Sequence, residues 1–169
     1  MSSLFSHLRV SSEYSISQGL LTVDQIVENA SLNSTPSVAL TDKSNMFGLV
    51  KFFSKCEAAG IKPISGASIR VIFENDESSY ELLCLAKSNN GHKNLMKVIS
   101  NAHNNGLFST PVINFNELVR LKDDIVVISG GKGSHIFEYL KRNNISDALK
   151  IVNDFRNHFK DDFAIEVQR

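Results

Sequence analysis

The sequence predicts an α/β fold with mostly parallel strands, on three observations. Short runs of branched apolar residues, SVALTD (37–42) and DIVVIS (124–129), read as buried strands. Between such runs lie segments with helical periodicity and helix start signals. The two kinds follow one another in the order β-α-β-α-β-β-α-α-β-α-α-β, which suits a largely parallel sheet covered by helices. An open doubly wound sheet and a barrel both fit that order, and in either one function is expected at the C-terminal ends of the strands.

Each element has a local reason. HLRV (7–10) alternates as a short strand does. TVDQIVENA (22–30) opens on Thr22 with Gln25 three residues later, a capping box that predicts a helix. After the strand 37–42, Ser44 and Asn45 are expected to cap a helix through MFGLVKFFSKCEAAG. Met46, Leu49, Val50, Phe53 and Cys56 form its apolar stripe and Gly60 its stop. KPISGASIRVIF (62–73) and YELLCLAK (80–87) read as strands joined by an acidic hairpin loop, ENDESS (74–79). The next helix, 89–105, shows Leu95, Met96, Ile99 and Ala102 on one face. NFNELVRL (114–121) begins with Asn114 and Glu117 in cap-like spacing. Helices are expected at 134–143 and 145–159, the second with Ile145, Leu149, Val152, Phe155 and Phe159 at three-to-four spacing. FAIEV (163–167) is a final strand, and the chain, ending just past it at FAIEVQR, is expected to be a fragment of something longer.

The composition narrows the function classes. A chain of 169 residues makes one domain the default, and about two-thirds of its unfolded surface can be buried. With 42% hydrophobic and 21% charged residues it is not a disordered tail, a collagen-like repeat or a coiled coil. Lys plus Arg and Asp plus Glu are each 18, so the domain lacks the basic footprint of direct nucleic-acid binding. No apolar run approaches the roughly 20 residues of a membrane span, and the N-terminus does not read as a signal peptide. Cys56 and Cys84 lie far apart in apolar segments, as buried free thiols of a reducing cytosol do.

The strand ends offer sparse chemistry. After the first strand, SSEYSISQG (11–19) supplies hydroxyls and Glu13, a base, a ligand or a solvated loop carboxylate. After the second, Asp42 beside Lys43 fits a catalytic pair, a ligand pair or an ion pair organising the next helix start. SGGKGS (129–134) is either a phosphate cradle at a helix N-terminus or a tight turn, and it lacks the P-loop spacing. Five histidines are scattered; His92 and His103, eleven apart on one helix, stand about 16 Å from each other and cannot share a metal.

Four stretches together resemble one family: HLRVSSEYSISQG (7–19), ALTDKSNMFGLVKFFSKCEAAGIKPISGASI (39–69), LLCLAKSNNGHKNLMKVIS (82–100) and IVVISGG (125–131). In order and spacing they are similar to the N-terminal PHP (polymerase and histidinol phosphatase) domain of bacterial DNA polymerase III alpha subunits. TDKSNMFGLVKF followed by GIKPISG is the part specific to the replicative subunits. The closing AIEVQR (164–169) is similar to the strand that follows in that family. The resemblance implies a distorted (β/α)7-type PHP barrel, here the N-terminal part of the domain over residues 1–169, truncated before its last units. It also implies a parent chain with palm, thumb and fingers, whose palm carboxylates hold Mg for nucleotidyl transfer.

Many PHP domains hold a trinuclear metal cluster and cleave phosphodiesters. The resemblance places those ligand positions here on Arg9, Ser11, Gln18, Lys43, Ser68, Glu81 and Gly131, with His7, Glu13 and Asp42 as polar residues retained nearby. All but Glu81 lack a metal-binding side chain. A cationic residue 4 Å from a metal would repel each of its charges by ~4 kcal/mol at an effective dielectric of 20. The implied function is therefore a non-catalytic scaffold, without metal or cofactor of its own, in which Arg9 and Lys43 pair with Asp42, Glu81 or Glu13. The implied partners are the proofreading exonuclease subunit and other replicase subunits, with DNA bound through the rest of the parent chain, in the bacterial cytoplasm. The alternative is an active metal-dependent phosphoesterase or 3′–5′ exonuclease.

Overall fold

In the computed structural model of the chain, which describes residues 5–74, 78–105 and 110–168, Thr22 caps helix α1 (Val23–Leu32) as its spacing predicts. The Thr22 hydroxyl accepts from the Gln25 amide and the Gln25 side chain accepts from the Thr22 amide. The chain divides into two compact units, Met1–Ala67 and Ser68–Arg169.

In the first unit, β1 (Ser37–Leu40) pairs in parallel with the start of β2 (Lys62–Ile72), from Ser37 opposite Lys62 to Leu40 opposite Ser65. Helices α1 and α2 (Leu49–Ala58) bury Val23, Ile26, Val27, Phe52 and Cys56 with Val38, Leu40 and Ile61. Asp24 of α1 reaches Lys51 and Lys55 of α2 at 2.5 and 2.9 Å, and these two ammonium groups hold its carboxyl down at about 2.

Two expectations for this unit change. Residues 7–10 form only an isolated parallel bridge, His7 to Val38. The reason is local: the Val10 amide donates to the Thr41 hydroxyl at 2.9 Å instead of to a strand carbonyl. The buried stripe of α2 is Leu49, Phe52 and Cys56, while Val50 and Phe53 face outward. Ser44 and Asn45 precede the helix in a turn where Asn45 Oδ1 accepts from the Phe47 amide, so α2 starts at Leu49. Gly60 ends it as expected, with φ +67° and the Ile61 amide donating back to the Cys56 carbonyl at 2.9 Å.

The second unit contains the rest of β2, then β3 (Ser79–Ala86), α3 (Asn89–Asn105), β4 (Ile113–Asn114) and α4 (Phe115–Arg120). It continues with β5 (Ile125–Ile128), α5 (His135–Lys141), α6 (Ile145–Phe159) and β6 (Phe163–Ala164). Its strands are ordered β2-β3-β5-β6, with β4 parallel to β2. β5 runs parallel to β6, and β3 antiparallel to β5, from Leu83 opposite Ile128 to Ala86 opposite Ile125. The described parallel pairs outnumber this antiparallel one, as the mostly parallel expectation has it, and β3 follows the loop 74–79 that was expected to close a hairpin. That acidic loop lies outside the described residues at 75–77.

β6 is two residues long where 163–167 are expected, because the Glu166 amide turns to the Ser129 hydroxyl at 3.0 Å. α6 has the expected bounds, but Ile145 and Leu149 face outward and Ala148, Phe155 and Phe159 face inward. On α3 Met96 is exposed, and Leu95, Val98, Ile99 and Ala102 are buried. The ring of Phe155 meets Phe73, Phe115 and Phe163 at 5.9, 5.2 and 4.9 Å. Both cysteines are buried free thiols, Cys56 in the first unit and Cys84 in the second. Among the described residues no helix is long and apolar enough to cross a membrane.

Candidate functional site

The sequence-predicted positions fall into both units, and each unit arranges its own. In the first, the chain turns tightly after Val10: the Ser15 amide donates to the Ser12 carbonyl at 2.9 Å and the Gly19 amide to the Ser15 carbonyl at 2.8 Å. A Cβ at Gly19 would lie 1.7 Å from the Ser12 carbonyl oxygen, so only glycine lets the loop close here. The turn aims Ser12 and Ser15 inward at the end of β1, where Asp42 is 1% exposed.

Asp42 is the centre of this arrangement. Its Oδ1 accepts from the Ser12 amide at 2.7 Å and the Ser15 hydroxyl at 2.6 Å, and its Oδ2 accepts from the Ser12 hydroxyl at 2.8 Å. The Ser15 oxygen in turn accepts from the Lys43 amide at 3.0 Å, and the Ser12 oxygen from the Tyr14 amide at 3.2 Å. A buried carboxylate is tolerated when donors to its charged form surround it. Hydroxyl and amide donors meet that need here. Lys43 joins this arrangement through its backbone amide. Sequence reasoning missed Ser12 and Ser15. The available signal was a buried strand ending in Asp, which requires donors, and a hydroxyl-rich segment at 11–17 to supply them.

The remaining first-unit positions lie around this centre. Arg9 and Ser11 are half-buried, and His7, Glu13 and Gln18 are exposed. His7 gives its carbonyl to the Ala39 amide, while the Glu13 and Gln18 amides donate to the Leu21 and Ser15 carbonyls.

In the second unit, Glu81 lies against the turn at Gly130 and Gly133, while Gly131 faces the Gln168 side chain. Gly130 and Gly131 both have left-handed backbones, φ +84° and +58°. A Cβ on Gly130 would stand 1.9 Å from the Glu81 carbonyl oxygen, so the turn fits against β3 only without a side chain. The Gly133 and Ser134 amides donate to the Gly130 and Gly131 carbonyls at 3.3 and 3.1 Å, and the Lys132 amide faces Gln168 Oε1 at 3.4 Å. These amides serve the chain itself, and the tight-turn reading of SGGKGS holds over the phosphate cradle. Ser134 then caps α5 by accepting from the Phe137 amide at 3.1 Å. Ser68 is buried on β2, and its hydroxyl has no hydrogen-bond partner among the described residues.

Divalent ions need several carboxylate, imidazole or thiolate ligands. Both oxygens of Asp42 are engaged by serines, and Arg9, Ser11, Gln18 and Lys43 offer the first unit no anionic or imidazole donor. Among the described residues no three His, Cys, Asp or Glu side chains converge to hold a metal ion.

Residues 7–169 match the family described as PHP domain. The chain is 37% identical over 168 residues to DNA polymerase III subunit alpha of Vibrio cholerae and 36% identical over 168 residues to that of Escherichia coli K12. In both cases 98% of this chain is aligned, and it spans 14% of the relative's length. Among solved structures it is similar to an amidohydrolase from Chromobacterium violaceum, with a TM-score of 0.48 and 19% identity over 59% of this chain and 33% of the other. With the match running from the first bridge to the last described strand, the chain belongs to the PHP domain family.

Proposed function

We propose that this chain is the N-terminal part of the PHP domain of a replicative DNA polymerase of the DNA polymerase III alpha type, and that it is a non-catalytic scaffold. The observation that carries this reading is the state of Asp42. It is a buried acidic residue retained next to the ligand positions, and three internal donors at 2.6–2.8 Å bond to its two oxygens. A carboxylate used in this way holds the 11–19 loop onto the end of β1. On this reading Mg-dependent nucleotide transfer and DNA contacts belong to the rest of the parent chain. The parent works in the bacterial cytoplasm with the other replicase subunits.

The platform role is docking of the proofreading exonuclease subunit. Its test is capture of that subunit by the full-length parent polymerase with and without residues 1–169, with primed-template synthesis as the control for folding. Loss of capture with synthesis retained is expected; undiminished capture sinks the docking role. The metal-dependent phosphoesterase reading is tested separately, by phosphodiester cleavage with Mn or Zn against a metal-stripped control. Cleavage that chelators do not affect, or none, is expected.

A further inference from the structure

We propose that an aromatic cleft in the second unit binds an arginine side chain carried on a peptide segment of a partner protein. The cleft encloses ≈ 740 Å³, within the range of about 300–1,000 Å³ that ligand sites occupy. Its wall is a stack of rings: Tyr80 lies 4.1 Å from His135 at an interplanar angle of 12°, and Phe73 and Tyr139 lie 4.7 and 4.9 Å from the same imidazole. Its lining carries three carboxylates, Glu74, which accepts from the Asn116 side chain, Glu138, which faces Arg142, and Asp154, against Arg142 and His158.

That combination selects the occupant. Ring faces carry negative quadrupole and attract cations, and the carboxylates add net charge of the same preference. A guanidinium is planar and weakly hydrated, so it stacks on rings while donating to a carboxylate; an ammonium is more strongly hydrated and gains less. Phosphate-bearing ligands meet these carboxylates and are disfavoured. Arg142 already makes a weaker version of the contact, with its guanidinium 3.9 Å from Glu138 and its side chain 73% exposed. The inference rests on the scaffold reading only for where the partner is found, since the chemistry of the cleft stands on its own lining.

The test titrates the full 169-residue chain with the peptide acetyl-Gly-Arg-Gly-amide and its lysine and citrulline counterparts, observing the aromatic signals of Tyr80, Tyr139 and His135 by NMR. Saturable shifts are expected with arginine, weaker ones with lysine and none with citrulline. Asp154→Asn is expected to weaken arginine binding about threefold, and Arg142→Ala to strengthen it by about the same factor. Both substitutions are at exposed positions, and unchanged spectra of the free variants establish folding. The proposal is overturned by absent shifts, by equal shifts from citrulline, or by a thymidine dinucleotide that binds the same rings more tightly than the arginine peptide. Arginine binding without capture of the exonuclease sinks the docking role alone; the reverse result sinks this inference alone.

Discussion

The first unit buries a charge and the second buries rings. Asp42 is held by directional bonds between 2.6 and 2.8 Å from the Ser12 amide and the Ser12 and Ser15 hydroxyls. Around Phe155 the contacts are ring to ring at 4.9–6.1 Å, from stacked to edge-on, and no single one dictates the geometry. A polar centre of the first kind specifies a conformation, because a lost partner leaves a buried donor unsatisfied. An apolar cluster of the second kind supplies area and packing, and it fails through cavities.

The largest effect is expected from Phe155→Ala. The ring is 1% exposed, and its removal costs about 3–5 kcal/mol, measured by urea unfolding. A loss under about 1 kcal/mol would mean that the cluster collapses to fill the space, and the contrast between the units would fade. Next is Asp42→Ala, which strands three buried donors at a cost of about 2–4 kcal/mol. Asp42→Asn keeps one acceptor oxygen and should cost about half as much. If Asp42 were instead reserved for a cation, the asparagine variant would be neutral or stabilised when metal is stripped, so this pair of variants separates a structural carboxylate from a ligand.

Thr22→Ala removes the hydroxyl that accepts from the Gln25 amide, leaving the bond from the residue-22 amide to the Gln25 side chain, and is expected to cost about 1 kcal/mol in the same assay. The smallest effect is electrostatic. Lys51 and Lys55 depress the Asp24 carboxyl from 3.8 to about 2, so folding favours its ionised form. Its stabilisation is present above the unfolded value of 3.8 and is lost as pH falls through about 2. The difference in melting temperature between the wild type and Asp24→Asn should therefore shrink across that window, and also in high salt. A difference that stays constant would remove the ion pairs from the account.

What was legible in the sequence follows the range of the signal. The Thr22 cap, the Gly60 stop and the bounds of α6 depend on neighbours within a turn, and they were read correctly. The inward face of α2 was not. Leu49, Phe52 and Cys56 compete with Val50 and Phe53 for the same periodicity, and tertiary packing chose the first set. Residues 7–10 and 163–167 have strand-like patterns, but the Thr41 and Ser129 hydroxyls divert their backbone bonds. Of the site, Asp42 was singled out, while its partners Ser12 and Ser15 were missed. Serines carry no charge pattern, and their meeting with Asp42 depends on a loop some thirty residues earlier in the chain.

The two sulfhydryls make the units separately observable. Burial pushes the Cys56 thiol up to about 11 and the Cys84 thiol up to about 12. Electrophiles attack the thiolate, which is scarce at neutral pH at either position. Alkylation must then wait for transient opening, and the labelling rate at each sulfur becomes a clock for the breathing of its own half of the chain.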